Sequence, residues 1–198
     1  MKRIASFLLL LLSTTITFAQ TSSTGKNIAT NKLLRPTAAF YQDGDAIKDK
    51  AQSKLFIDHY IQASELTKKG EYSRAIQALE KCLQIYPLAG SANFMLGNIY
   101  LTMADDPKDR SSLLQKAVAQ FTAAVQSHPG LAAGYYNRAL SRMKLGDWDA
   151  IDDLDQCLQL DPAQADAYYM RSQLHRALKQ NDKAEADLKR FRELGGKV

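Results

Sequence analysis

From residue 56 onward, apolar residues recur at helical spacing and the same arrangement returns about every 34 residues. One stretch reads Gly70-Glu71-Tyr72-Ser73-Arg74-Ala75-Ile76, followed by Leu79, Cys82, Leu83, Ile85 and Pro87. Another reads Gly146-Asp147-Trp148-Asp149-Ala150-Ile151, followed by Leu154, Cys157, Leu158, Leu160 and Pro162. The two match apolar for apolar, with one residue fewer between aromatic and Ala in the second. A turn, an aromatic, a small residue, an amphipathic run and a closing Pro describe one helix, its start and its stop. Such a helix cannot bury its apolar stripe alone, so a fixed period implies stacked units sharing one continuous core.

The partner helix of each unit precedes it. Leu96-Gly97 followed by Tyr100, with Ala117, Phe121, Ala124 and Pro129 further on, supplies the L-G-x-x-Y, A-x-x-x-F and P elements of a known pattern. On these residues the chain resembles the tetratricopeptide repeat (TPR) family from Phe56 to its end, tiled as 56–89, 90–131, 132–164 and 165–198. The resemblance implies an all-α fold, a right-handed α-solenoid of four TPR helix-turn-helix repeats. Gly97, Ala63, Ala139 and Ser172 stand where paired helices cross. Ala75, Ala117, Ala150 and Ala184 do the same on the second helices, with Leu79, Phe121, Leu154 and Leu188 filling the space beside them.

Several positions depart from the pattern. Its Trp place holds His59, Asn93, Tyr135 and Tyr168, and Asn93 is poor filling for a buried site. Lys179 and Asn181 replace the Gly and the aromatic of the last unit, and Asp105 to Ser112 form an insertion.

The N-terminal stretch reads differently. Lys2 and Arg3 precede an apolar run from Ile4 to Leu12, and Thr17-Phe18-Ala19 ends it in small-x-small fashion, the order of a cleaved signal peptide over 1–19. The run is too short for a spanning helix, so no membrane anchor is expected after cleavage. A periplasmic or secreted location follows, and the ending resembles proteins of Gram-negative envelopes. Residues 20–55 read as a polar linker with an N-terminal helical extension. Asp45 is placed to cap a stripe of Ile47, Ala51, Leu55, His59, Ala63 and Leu66.

Charge changes little. Of 26 basic residues eight precede Phe56, and of 21 acidic residues three do, leaving 18 of each in the repeats. A neutral domain lacks the electrostatic footprint of a nucleic-acid binder. Cys82 and Cys157 occupy equivalent places in non-neighbouring units, too far apart to bridge, and read as small buried hydrophobes.

Catalytic and metal-binding motifs are missing: no G-x-S-x-G, P-loop, dinucleotide fingerprint, H-E-x-x-H or C-x-x-C occurs. His59, His128 and His175 are dispersed. The acidic run Asp147, Asp149, Asp152, Asp153, Asp155 keeps helical period around Ala150, Ile151 and Leu154, which reads as a solvated face instead of a calcium loop. Glu185, Asp187, Lys189, Arg190 and Arg192 likewise read as a polar outer side that caps the array. The expectation is a non-catalytic protein with no cofactor and no metal.

The TPR resemblance implies instead that the first helix of each pair lines a concave groove. Its places map here to Tyr60, Phe94, Tyr136 and Tyr169 in one row, to Ile61, Met95, Asn137 and Met170 in a second, and to Ser64, Asn98, Leu140 and Gln173 in a third. Aromatic and Met residues beside amides suit a protein or peptide segment. The alternative for the first row is packing between repeats. One TPR subclass grips C-terminal carboxylates with Lys, Arg and Asn. Tyr60, Ser64, Met95, Ala133 and Asn137 stand at those places, so that activity is not expected. The chain is read as an interaction module of the cell envelope, with a self-associating structural component as the alternative.

Overall fold

A computed structural model describes residues 38–197, and the expected signal peptide lies outside them. All nine elements found there are helices. α1 (Ala38–Ala46) precedes four antiparallel pairs: α2 (Lys50–Lys68) with α3 (Tyr72–Ile85), α4 (Gly90–Met103) with α5 (Arg110–Ser127), α6 (Ala132–Leu145) with α7 (Ala150–Leu160), and α8 (Ala165–Ala177) with α9 (Asn181–Glu193). Each pair packs closely within itself, and each second helix packs on the first helix of the following pair. The fold is therefore an α-solenoid.

The small residues at the crossings are shut away from solvent: Ala63, Gly97, Ala139 and Ser172 on first helices, Ala75, Ala117, Ala150 and Ala184 on second ones. Gly97 shows why. A Cβ built there would lie 2.6 Å from the Phe121 ring, so the ring occupies the space a side chain needs. Phe94 packs on the same ring with centroids 5.8 Å apart.

Helix ends follow local chemistry. Tyr86, His128 and Asp161 close α3, α5 and α7 outside the helical region, as the Pro87, Pro129 and Pro162 that follow them favour. Gly70 and Gly146 turn at φ 75° and 76°, and Lys179 adopts φ 60° at the equivalent turn of the last pair. That is left-handed backbone which glycine enters without penalty and lysine does not. Asn93, the poor filler, is buried, and its Nδ2 donates to the Ala89 carbonyl at 3.1 Å, which satisfies it within its own turn. Of the insertion, residues 105–109 form an exposed loop, whereas Arg110 begins α5 and its Nε donates to the Ala104 carbonyl at 3.2 Å.

Four expectations need correction. The cap of the extension is Asp49, whose Oδ1 accepts from the Ala51 and Gln52 amides at 2.8 and 2.9 Å; Asp45 lies inside α1. The buried stripe of α2 is Phe56, Tyr60, Ala63 and Leu66, while Leu55 is exposed, because α2 turns the former toward α3. Asp153 is not on a solvated face: it is 2% exposed, held by Arg138 and Arg142. Asp187 is buried too, paired with Arg171.

Cys82 and Cys157 are both free and buried. Burial pushes the Cys82 thiol up to about 12.

Candidate partner-binding face

The first helices α2, α4, α6 and α8 carry all the groove residues expected from the repeat pattern, and the face they form differs along its length. In the last two pairs the face is partly open. Tyr136, Asn137 and Leu140 of α6 and Tyr169 and Gln173 of α8 are all half-buried. Tyr136 spans two repeats: it packs in the α6–α7 core, and its hydroxyl titrates above the ordinary tyrosine value through burial first, then Asp166 of α8. Tyr169 lies against Phe191 of α9 at 5.0 Å between centroids. Met170 is 2% exposed and belongs to the core.

In the first two pairs the same rows are closed along α4 and at Tyr60, open at Ile61 and partly open at Ser64 of α2. Phe94, Met95 and Asn98 are buried, and every residue from Gly90 to Ile99 is shut off from solvent. Tyr60 is buried as well, while Ile61 stays 49% exposed. α1 packs against both α2 and α4. Its Asp43 is close enough to Tyr60 to add to the rise in the phenol's pKa, which burial dominates. Two expected groove residues meet across repeats, where Asn137 Nδ2 donates to Asn98 Oδ1 at 2.7 Å. The Asn98 amide nitrogen is buried without a partner.

The last two pairs also carry an ion-pair framework that was not expected. Arg138 grips Asp153 with two nitrogens, Nε at 3.1 and 3.0 Å from the carboxylate oxygens and one terminal nitrogen at 2.5 Å. Arg142 adds a contact of 2.7 Å to the other oxygen. One repeat later, Arg171 reaches Asp187 at 2.9 and 2.6 Å and Asp155 at 2.6 Å. The Asp187 hydrogen bond is the main reason the Arg171 guanidinium is held charged against burial. Each arginine also lies over the Tyr one turn before it: Arg138 over Tyr135 at 5.5 Å and Arg171 over Tyr168 at 5.6 Å. The sequence signal was available in Tyr135-Tyr136-Asn137-Arg138 and Tyr168-Tyr169-Met170-Arg171, a repeated Tyr-Tyr-x-Arg with an aspartate 15 or 16 residues later.

The histidines hold structural places. His175 Nδ1 lies 2.9 Å from Gln180 Oε1, and His128 Nε2 lies 3.5 Å from Asp43. Among the described residues no group of His, Cys, Asp and Glu is arranged to hold a metal, and no helix is long and apolar enough to cross a membrane.

Models of the tetratricopeptide repeat match residues 59–87 and 136–197. The stretch between them contains Asn93 and the insertion. Among solved structures, a crystal structure of MamA is 18% identical with a TM-score of 0.64, over 71% of this chain and 78% of that one. MamA from residue 41 to its end, from Desulfovibrio magneticus RS-1, is 19% identical with a TM-score of 0.62, covering 86% and 92%. The first TPR of Spaghetti (RPAP3), bound to the HSP90 peptide SRMEEVD, is 18% identical with a TM-score of 0.57, covering 64% and 94%. No curated protein sequence matches the chain. Tetratricopeptide repeats are scaffolds for protein–protein interaction, and this chain carries them, recognised over residues 59–87 and 136–197 within a helical solenoid of the same type.

Proposed function

We propose that this chain is a non-catalytic interaction module of the cell envelope that holds a partner protein segment on its first-helix face, chiefly over α6 and α8. One observation carries the reading. Tyr136, Asn137 and Leu140 on α6 and Tyr169 and Gln173 on α8 are partly open, on helices whose Arg138 and Arg171 are fixed by buried carboxylates. Rigid aromatic side chains flanked by amides bury area on a partner at little conformational cost and direct its hydrogen bonds. The clamps keep those helices from shifting as the partner docks, so little ordering remains to be paid on binding. The RPAP3 relative bound to a peptide supports a segment as the ligand. That peptide ends in acidic residues, whereas the matching places here hold Tyr60, Ser64, Met95, Ala133 and Asn137 without a Lys or Arg, so an internal segment suits this face better than a C-terminal carboxylate.

The envelope location rests on the basic, apolar and small-residue order of residues 1–19. N-terminal mass analysis of protein from envelope fractions tests it: mature chain beginning near Gln20 is expected, and retained Met1 contradicts it. A photoreactive residue placed at Gln173 tests the face. It should crosslink a discrete partner from the source envelope, and the same residue at exposed Asp152 should not. The reverse labelling pattern would move the function to the outer surface.

A further inference from the structure

α1 packs against α2 and α4, the first helices of the first two pairs. Its Asp43, 2% exposed, places Oδ2 on the Ser91 amide at 2.8 Å and Oδ1 3.5 Å from His128 Nε2. Ser91 lies in the first turn of α4, whose own N-cap, Ala89, has no side chain that accepts a hydrogen bond. A carboxylate there satisfies an orphan amide and meets the positive end of the helix. His128 closes the socket from above, and residue 90 must be Gly for it to do so, since a Cβ would fall 2.0 Å from His128 Nδ1. The socket also holds polar capacity that Asp43 leaves unused. Ser91 Oγ, on a residue 1% exposed, has no partner, and neither does His128 Nδ1.

α1 is weak as a helix on its own. It is nine residues long with Gly44 inside it, and a helix that short is marginal unless packing holds it. Gln42, Asp45 and Ala46 face solvent. Ser53 Oγ of α2 donates to the Gly44 carbonyl at 3.0 Å. α2 does not need α1 for its start, because Asp49 caps it independently. Loss of α1 therefore uncovers α2 without unwinding its start, and leaves the Ser91 amide of α4 open to whatever acceptor replaces Asp43.

We propose that α1 is a displaceable strap whose Asp43 occupies, in cis, a carboxylate socket built from Ser91, Gly90 and His128, and that a partner segment entering this half of the face carries an acidic side chain that takes Asp43's place. The proposal rests on the first-helix face being the binding surface, and deepens that reading by naming what competes for it. It makes the N-terminal half of the face a regulated site: the partner must outcompete a tethered helix, so occupancy of the open half over α6 and α8 comes first.

The test uses the full mature chain and, as probe, a labelled peptide of residues 36–48. Hydrogen exchange should show α1 opening at least about tenfold faster than α4, with Asp43→Asn raising its exchange at least about tenfold more while α5 to α9 stay unchanged, the size of one lost charge-assisted hydrogen bond. The probe should bind the Asp43→Asn chain, and the same peptide carrying Asp43→Asn should bind at least about tenfold more weakly. Should Asp43→Asn fold poorly, His128→Gln loosens the same socket from the other side and gives the same exchange readout. The proposal is overturned if α1 exchanges as slowly as α4, if the two peptides bind alike, or if neither binds up to millimolar concentration. A Tyr136 and Tyr169 double variant separates the two readings, because it leaves the strap and its socket untouched. Peptide binding retained with partner capture unaffected sinks the face reading alone.

Discussion

The first two repeats and the last two meet one packing requirement with different chemistry. At the place one residue before the helix crossing, the early repeats carry Gln62 and Leu96 and the late ones Arg138 and Arg171. At the corresponding place on the second helices stand Ala78 and Gln120, then Asp153 and Asp187. The early half thus closes around rings and aliphatic chains, Phe121 filling the notch at Gly97, and its first-helix face is covered where α1 packs on it. The late half locks each pair with a buried ion pair and leaves its aromatic row partly open. A buried ion pair gains little stability over an apolar pair of the same shape, because both charges lose their water. What it adds here is a fixed geometry: Arg138 binds Asp153 through two nitrogens while stacking on Tyr135. The covered half reads as the regulated part of the face and the clamped half as its preorganised part.

The comparison breaks most readily at Asp153. Asp153→Ala leaves the half-buried Arg138 and Arg142 without their shared carboxylate and should destabilise the domain by about 3 kcal/mol, the low end of the cost of breaking a buried pair on one side. Asp152→Ala, one residue away and exposed, should stay within about 0.5 kcal/mol. Urea denaturation of both variants checks the pair, and equal, small losses would mean that the clamp is ornamental. In the early half, Gly97→Leu should cost about 1–3 kcal/mol because the side chain must displace the Phe121 ring. A thermal melt matching the parent would show that this half is loosely packed. The smallest effect concerns a turn. Lys179→Gly relieves a lysine held at φ 60° and should stabilise by about 1 kcal/mol, read as a higher denaturation midpoint.

The repeat period was legible because it is written in residue size at fixed spacing. Ala75, Ala117 and Ala150 recur where only small side chains fit, and each is fully buried. Lys179 in a left-handed turn shows that position outweighing preference once neighbouring units fix the path of the chain. The clamps were harder to read. Asp153 sits in an acidic run that resembles a solvated face, and nothing local distinguishes it from Asp152; its partners lie on another helix, 15 and 11 residues earlier. α1 was less legible still, since Asp43 finds its amide 48 residues downstream and a nine-residue segment carries too little periodicity to announce a helix. Of the expected groove residues, Tyr136, Asn137, Leu140, Tyr169 and Gln173 lie on the partly open face. Met95 and Met170 are in the core, because the period that marks a groove place also marks the crossing beside it.

Partner capture by the late half is the most direct test of this account. The Tyr136→Ala and Tyr169→Ala double variant should be compared with Asp152→Ala in a pull-down from the source envelope, with a thermal melt of each to establish that both are folded. The double variant should lose capture by at least about 2 kcal/mol, some thirtyfold in affinity, as truncated aromatic anchors do, while Asp152→Ala captures like the parent. A folded double variant that captures its partner normally, beside an outer-face variant that does not, would contradict the account and move binding to the opposite surface.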